Sequence, residues 1–164
     1  MTVVLGVDLS LTGTGCVSDS ECGAVLVTKP VDTIERRLIA IRDFVLDHAA
    51  GADLTVVEDY VTRSPAASSL ALIHGVVRVA LVEAGRPFTL VPPATLKKYA
   101  AGKGNATKAD MRVALYKRTG LDWDDDNLVD AWWLRAAGWQ ILDRPVVDVP
   151  MLQKLALAKI AMAA

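Results

Sequence analysis

The sequence predicts an α/β domain with a mixed five-stranded sheet and helices on both faces. Two short apolar runs, residues 3–8 and 54–58, are rich in valine and lack clean polar alternation, which is typical of strands buried on both sides. Each run ends on a carboxylate, Asp8 in the first and Glu58 in the second. The predicted elements follow the order βββαβαβα with further helices behind them, and this order favours a sheet covered on both faces.

Composition places the chain among ordinary globular proteins of one domain. It has 164 residues, 52% of them hydrophobic and 23% charged, with a net charge of −1 that argues weakly against a nucleic-acid binder. The most apolar stretch, residues 65–82, contains His74 and Arg78, so we expect no membrane span. The N-terminus lacks a basic segment followed by an apolar one, which predicts a cytoplasmic protein. Cys16 and Cys22 are expected to be core thiols.

Turn and cap signals set the boundaries of the other elements. Strands over residues 2–9, 12–18 and 22–28 form a predicted meander, and a fifth strand covers residues 88–91. The helices after the first are predicted at 65–84, 94–100, 108–118, after the acidic run 122–126, and in a last short segment rich in Leu, Ala and Lys. The helix over 65–84 is apolar nearly all round, so we expect a second subunit on one side of it.

The first helix combines a cap with a buried face. Asp32 is the predicted N-cap, with Glu35 at the third helical position. The apolar face recurs every three or four residues, at Ile34, Leu38, Ile41 and Val45. The arginines that fall off this face are expected in solvent: Arg36, Arg37 and Arg42.

Three carboxylates lie at the ends of apolar elements. If the strands that end on Asp8 and Glu58 are parallel neighbours, their ends lie ~4.8 Å apart, and both side chains can share one cation. Asp130 stands three and four residues before Trp133 and Leu134 on a predicted helix, so it should face the protein, where an unpaired charge is costly. Metal coordination would remove that cost. The alternative for each carboxylate alone is a cap or a surface charge.

Oxygen ligands without a nearby Cys or His pattern favour Mg²⁺ or Mn²⁺ over zinc. Two such ions could activate water and stabilise the leaving oxygen of a phosphodiester. Asp126 and Asn127 lie on the same side of the predicted helix as Asp130, one turn earlier. The other acidic residues of this run are expected to be caps or surface charges: Asp122, Asp124 and Asp125.

Other polar and aromatic residues allow two interpretations. Lys103 and Lys108 lie in and after a glycine-rich loop, where they could meet phosphates or be solvated loop charges. Tyr60 follows Glu58 and could stack on an unpaired base or be a half-buried ring. His74 is expected to be packed or interfacial rather than a ligand. The tryptophans of the last long helix are expected in the core: Trp132, Trp133 and Trp139.

Several motifs together resemble RuvC-type Holliday junction resolvases, in a form similar to the variants of bacteriophages. They are GVDLSLTGTG at 6–15, VE at 57–58, LKK at 96–98 with GKGNATK at 102–108, and DNLVDA at 126–131. The motifs run in family order over residues 3–135. Actin-like ATPases and sugar kinases share the opening motif, whereas the lysine–glycine segment and the final Asp-Ala are more specific.

The resemblance implies a ribonuclease-H-like fold, a homodimer, and Mg²⁺-dependent cleavage of branched DNA by paired nicks, with Mn²⁺ able to substitute. The implied nuclease domain covers residues 1–142, and residues 143–164 form a C-terminal extension with a short helix packed on it. The implied catalytic and metal-binding set is Asp8, Glu58 and Asp130, with Asn127 at a fourth position where the family often has an acid or histidine. Asp126 is the alternative fourth metal ligand.

The resemblance also implies a DNA-contacting set: Lys97, Lys98, Lys103, Lys108, Tyr60 and Arg63. A non-catalytic DNA-binding or packaging relative remains an alternative, although it would need a broken acidic set. An actin-like nucleotide-binding protein is a further alternative, but that fold needs a second lobe that 164 residues cannot hold.

Overall fold

The structure, a computed structural model of the chain, describes residues 1–19, 23–62 and 67–160. Within them the chain forms a five-stranded sheet in the order β3-β2-β1-β4-β5. The strands are β1 (Val4–Asp8), β2 (Gly13–Val17), β3 (Gly23–Val27), β4 (Leu54–Glu58) and β5 (Phe88–Val91). β1, β2 and β3 form an antiparallel meander, while β1–β4 and β4–β5 pair in parallel. The predicted fold class, a mixed five-stranded α/β sheet, is confirmed.

The helices also follow the predicted order. They are α1 (Ile34–Ala49), α2 (Ala67–Glu83), α3 (Pro93–Ala101), α4 (Lys108–Thr119), α5 (Asp126–Ile141) and α6 (Met151–Lys154), followed by a 3-10 turn at Leu155–Leu157. The predicted capping box of α4 is present, with Thr107 and Asp110 each bonding the other's backbone. Gly120 ends this helix with a φ of 79°, a conformation that favours glycine. The cap predicted at residues 64–65 lies outside the described residues.

Strand alternation separates two apolar cores. Val4 and Val56 point to one face of the sheet and pack with α3, α4 and α5 around Trp133 and Tyr99. Leu5 and the other alternate residues point to the opposite face and pack with α1 and α2. Trp132 is also buried and Trp139 is partly buried, as predicted for the core.

Glycines in the strands let α5 approach the sheet closely. A Cβ added at Gly6 would collide with the carbonyl oxygen of Ala131, and one at Gly15 would lie 2.5 Å from the carbonyl oxygen of Asn127. Real Cβ atoms do not tolerate such contacts, so the spacing between α5 and β1–β2 depends on the missing side chains. The first turns of α5 are thereby held against the sheet.

A buried ionic network, which the sequence did not predict, ties α5 to the meander. Asp19 accepts hydrogen bonds from Arg135 Nε and Trp139 Nε1, each at 2.7 Å, and from the backbone N–H of Val4 at 2.8 Å. The side chains of Arg135 and Asp19 are 7% and 15% exposed, so the pair is largely shielded from solvent and the loss of one partner would be costly. The network fixes the second half of α5 over β1.

Two expectations for α1 are wrong. Its N-cap is Thr33, whose side chain accepts from the backbone of Arg36, and not Asp32. Arg37 is buried rather than solvated, because its guanidinium donates to Thr28 Oγ1 at 2.9 Å and to the carbonyl oxygen of Leu11 at 2.8 Å. Both acceptors lie at loop ends that periodicity does not reveal. Cys16 is buried as expected, and Cys22 lies outside the described residues.

The segment after α5 packs back onto the domain. Val147, Val149 and Leu157 are buried in the core that contains α3 and α5. Arg118 donates to the carbonyl oxygen of Asp148 at 2.8 Å. The division at residue 142 stays a prediction. Among the helices of the described part of the chain, none has the length and apolar character needed to cross a membrane.

Candidate functional site

Asp8 and Glu58 end two parallel, hydrogen-bonded strands. Val7 of β1 pairs with Val57 of β4, so the two carboxylates follow side by side at the same edge of the sheet. In each strand the alternation that points Val4 and Val56 towards α5 also points the carboxylate to that face. The sheet therefore directs both side chains towards the start of α5.

Asp130 completes an electrostatic group with these two residues. It lies on the first turns of α5, next to Ala131, whose carbonyl oxygen contacts Gly6 of β1. Burial raises the pKa of both Asp8 and Glu58 well above the ordinary range, and the charge of Asp130 raises each further. The pKa of Asp130 itself is raised to about 6, first by burial, while the ammonium groups of Lys108 and Lys97 act in the opposite direction. The three carboxylates therefore influence one another electrostatically, and their catalytic and metal-binding roles stay a prediction.

The donor set fits a hard divalent cation in its chemistry. A cation would offset the repulsion among these three carboxylates, which burial strengthens, and oxygen ligands suit Mg²⁺ or Mn²⁺. Among residues 1–19, 23–62 and 67–160, however, no three His, Cys, Asp or Glu side chains are arranged so that they could hold an ion as they stand.

The candidates for a fourth ligand are both engaged with other side chains. Asn127 Nδ2 donates to Asp125 Oδ1 at 2.9 Å, and the residue lies over Gly13 and Gly15 of β2. Asp126 Oδ2 lies 2.9 Å from Lys108 Nζ. The fourth ligand, Asn127 or Asp126, stays a prediction.

Asp125 is closer to the site than the sequence indicated. It is the N-cap of α5 and accepts the backbone N–H of Asn127 at 2.8 Å, as expected for a capping residue. Its charge also contributes to the raised pKa of Asp8. The sequence did contain a signal for this. Asp125 directly precedes the helix that carries Asp130, so as an N-cap it lies at the same end of the helix as Asp130.

The predicted DNA-contacting lysines fall into two groups. Lys97 and Lys108 lie near the carboxylates, since the charge of each lowers the pKa of Asp130. The pKa of Lys108 is raised, chiefly by its hydrogen bond to Asp126. Lys103 instead pairs with Asp110 at 3.1 Å, and Lys98 is exposed. Lys97 and Lys108 therefore bring positive charge close to the carboxylates, and their contact with DNA stays a prediction.

Comparison with solved structures identifies the fold. Neither a protein-family model nor a curated protein matches the chain. A structure of Thermus thermophilus RuvC matches 90% of this chain and 100% of its own, with 25% identity and a TM-score of 0.70. A structure of T. thermophilus RuvC in complex with a Holliday junction substrate gives the same coverage, with 24% identity and a TM-score of 0.71. The chain has a RuvC-type fold. The ribonuclease-H-like expectation is therefore confirmed.

In this RuvC-type fold, an aromatic pair forms next to Glu58, with one ring in the loop after β4 and the other on α2. The ring centroid of Tyr60 lies 4.8 Å from that of His74 on α2, with the planes tilted by 39°. Tyr60 is half-buried, and His74 is packed in the interior. Stacking of Tyr60 on a base stays a prediction, and Arg63 lies outside the described residues.

Proposed function

We propose that this protein is a divalent-metal-dependent endonuclease that resolves Holliday junctions, and other branched DNA, by paired nicks. The observation that carries the proposal is the convergence of Asp8, Glu58 and Asp130 at one edge of a RuvC-type fold. The similar T. thermophilus RuvC was solved with a Holliday junction substrate, which supports branched DNA as the substrate class.

Each charged group has a distinct proposed role. Asp8, Glu58 and Asp130 would hold Mg²⁺, or Mn²⁺ in its place, and the bound ion would supply an activated water and stabilisation of the leaving oxygen. Lys97 and Lys108 would bind the phosphate that lies over these carboxylates. Their positive charges also offset the repulsion that the DNA backbone would meet there.

A nicking assay on a synthetic four-way junction tests the proposal. Wild-type protein with Mg²⁺ should nick the junction, and chelation with EDTA should abolish nicking. Asp130→Asn should lose cleavage but retain junction binding, because it removes a charge without removing volume. Asp122→Asn, at an exposed position of the same acidic run, is the matched control and should cleave normally. Wild-type activity in Asp130→Asn would exclude that residue from the centre.

A catalytically silent junction-binding protein is the second candidate. The observation in its favour is that no three acidic side chains in the described ranges are already arranged around a common ion position. Junction binding with no nicking in either Mg²⁺ or Mn²⁺ would support this candidate over the first.

The homodimer is proposed from an exposed seam on α2. Ser68, Leu72, Gly75, Val79 and Val82 recur at alternating four- and three-residue spacing, and the three large side chains are 52%, 57% and 62% exposed. A Cβ added at Gly75 would meet nothing within 4 Å, so another helix could approach closely there. This spacing is that of paired helices. Two nicks in one junction also need two carboxylate centres, which a two-fold dimer of this chain supplies.

Sedimentation at micromolar concentration tests the dimer. Val79→Glu should give a folded monomer, because it places a charge in the seam. Val113→Glu is the matched control, since Val113 on α4 is 49% exposed and lies outside the seam. A monomeric wild-type protein, or an intact dimer in Val79→Glu, would contradict the assignment.

Its location and origin follow from the proposed substrate and the motifs. We propose a cytoplasmic location, in the host cytoplasm if the protein is phage-encoded, because its DNA substrate would be there. The similarity of the motifs to bacteriophage variants supports a phage origin and can be tested by the genomic neighbourhood of the coding sequence.

A further inference from the structure

Asp126 begins α5 but does not cap it. The N-cap of this helix is Asp125, whose carboxylate accepts the backbone N–H of Asn127 at 2.8 Å. Asp126 is the first helical residue, and its side chain is 32% exposed. Capping by Asp125 therefore leaves the carboxylate of Asp126 available for a partner outside its own helix.

The partner of Asp126 is Lys108, the first residue of α4. Asp126 Oδ2 lies 2.9 Å from Lys108 Nζ, so a hydrogen-bonded ion pair joins the starts of the two helices. The lysine side chain is 72% exposed, and exposed ion pairs contribute little to the stability of a fold. This pair does, however, engage the ammonium group that the proposed function assigns to a DNA phosphate.

Lys108 lies close enough to the carboxylate centre for its charge to act there. Burial raises the pKa of both Asp8 and Asp130, and the Lys108 ammonium acts in the opposite direction on each. The pKa of Lys108 itself is raised, chiefly by its hydrogen bond to Asp126. Carboxylate and phosphate oxygens are the same kind of charged acceptor for an ammonium group. A phosphate over this centre therefore has to compete with Asp126 for Lys108.

We propose that Asp126 is an internal competitor of the DNA backbone: its carboxylate holds Lys108 in the free protein, and a DNA phosphate displaces it on binding. The inference rests on the proposed function and adds regulation of the same site. Each contact of Lys108 with DNA is made at the expense of an existing ion pair. Asp126 thereby lowers the affinity of the centre for DNA.

Two other residues supply matched comparisons. The charge of Lys97 also opposes the raised pKa of Asp130, so this lysine lies near the same centre. Within the described part of the chain, Lys97 forms no ion pair with a carboxylate, so Asp126 competes for Lys108 and not for Lys97. Asp122 is exposed in the same acidic run, and its replacement by asparagine changes the net charge by the same amount.

A double-mutant cycle on junction affinity tests the competition. Binding is measured in EDTA at fixed salt, so that metal binding does not contribute. Asp126→Asn should tighten binding by about 2- to 5-fold, the range expected for an exposed ion pair. The same substitution should have little effect in a Lys108→Ala background, because the ammonium that is competed for is absent. In a Lys97→Ala background it should retain its full effect, and Asp122→Asn alone should leave the affinity nearly unchanged.

Chemical labelling tests the ion pair without DNA. Acylation by an activated ester, followed by peptide mass spectrometry, measures how readily each lysine loses its proton and reacts. Asp126→Asn should raise the acylation rate of Lys108 by at least about 2-fold, because the hydrogen-bonded partner is lost. The rate of Lys97 should not change. If Asp126→Asn does not fold, Asp126→Ser removes the same charge and keeps a polar side chain at the start of the helix.

The outcomes distinguish the inference from the proposed function. Unchanged junction affinity in Asp126→Asn, or an equal gain in the Lys108→Ala background, would leave a surface ion pair only and overturn the inference alone. Weaker binding by Asp126→Asn, or an unchanged acylation rate of Lys108, would also overturn it. Failure to bind branched DNA at all would overturn the proposed function and the inference with it.

Discussion

Asp130→Asn is expected to stabilise the protein when divalent metal is removed. The pKa of Asp130 is raised to about 6 from an ordinary value of 3.8, chiefly by burial. One pKa unit corresponds to about 1.4 kcal/mol, so ionising this group in the folded chain costs up to roughly 3 kcal/mol. For a domain of this size, each kcal/mol shifts the melting temperature by about 2–4 °C. Asparagine has the same volume and no charge to bury.

The pH dependence has a definite sign. A carboxyl whose pKa is raised on folding contributes stability below its unfolded pKa, and that stability is lost as pH rises through the folded pKa. In EDTA, the stability of wild type relative to Asp130→Asn should therefore fall between about pH 4 and pH 6. It should fall further at higher pH, because the charge of Asp130 also raises the pKa of Asp8 and Glu58.

Thermal unfolding in EDTA, from pH 4.5 to 8, measures this difference directly. Asp122→Asn, at an exposed position, is the control and should melt like wild type throughout. Added Mg²⁺ should then raise the melting temperature of wild type more than that of Asp130→Asn. A ligand that binds the folded state stabilises it, and the variant has lost one of the proposed metal ligands. A gap between variant and wild type that does not change with pH, or a less stable variant at pH 7.5, would refute the reasoning.

Three further predictions concern the surroundings of the carboxylates. Lys108→Ala should reduce the slope of log K against log salt concentration for junction binding by about one, because one phosphate contact is lost. Alanine at an exposed arginine of α1 is the control and should leave the slope unchanged. An unchanged slope in Lys108→Ala would show that Lys108 is a solvated charge and not a phosphate contact. Asn127→Asp should tighten Mn²⁺ binding in calorimetric titrations without DNA, while Asp126→Asn should change it little because its partner is Lys108; the reverse result would make Asp126 the ligand. Gly6→Ala should destabilise the protein by more than about 3 kcal/mol in chemical denaturation, since it collides with α5, whereas Gly51→Ala has open space and should be close to neutral.

The sheet and the three carboxylates could be predicted because their signals are local. Valine-rich runs that end on Asp8 and Glu58 indicate buried parallel strands whatever the rest of the chain does. Asp130 could be identified because it lies three and four residues before apolar residues of the same helix, and so on their face. The capping box at Thr107 could be identified because its pattern spans only four residues.

What the sequence could not predict depends on contacts between distant segments. Arg37 lies four residues before Ile41 on the buried stripe of α1, but its charge led us to expect it in solvent; it is buried because Thr28 and Leu11 supply acceptors for the guanidinium. The pairing of Asp19 with Arg135 joins residues more than a hundred positions apart.

Linearisation of a supercoiled plasmid that extrudes a cruciform tests the central claim most directly. Paired nicks across the junction convert the plasmid to a linear product with ligatable ends, whereas a single nick gives only an open circle. Wild-type protein with Mg²⁺ should give the linear product, and Asp8→Asn should give neither product while still binding the cruciform. Open circles alone, or linear product from Asp8→Asn, would contradict an enzyme in which two copies of this carboxylate centre cut one junction.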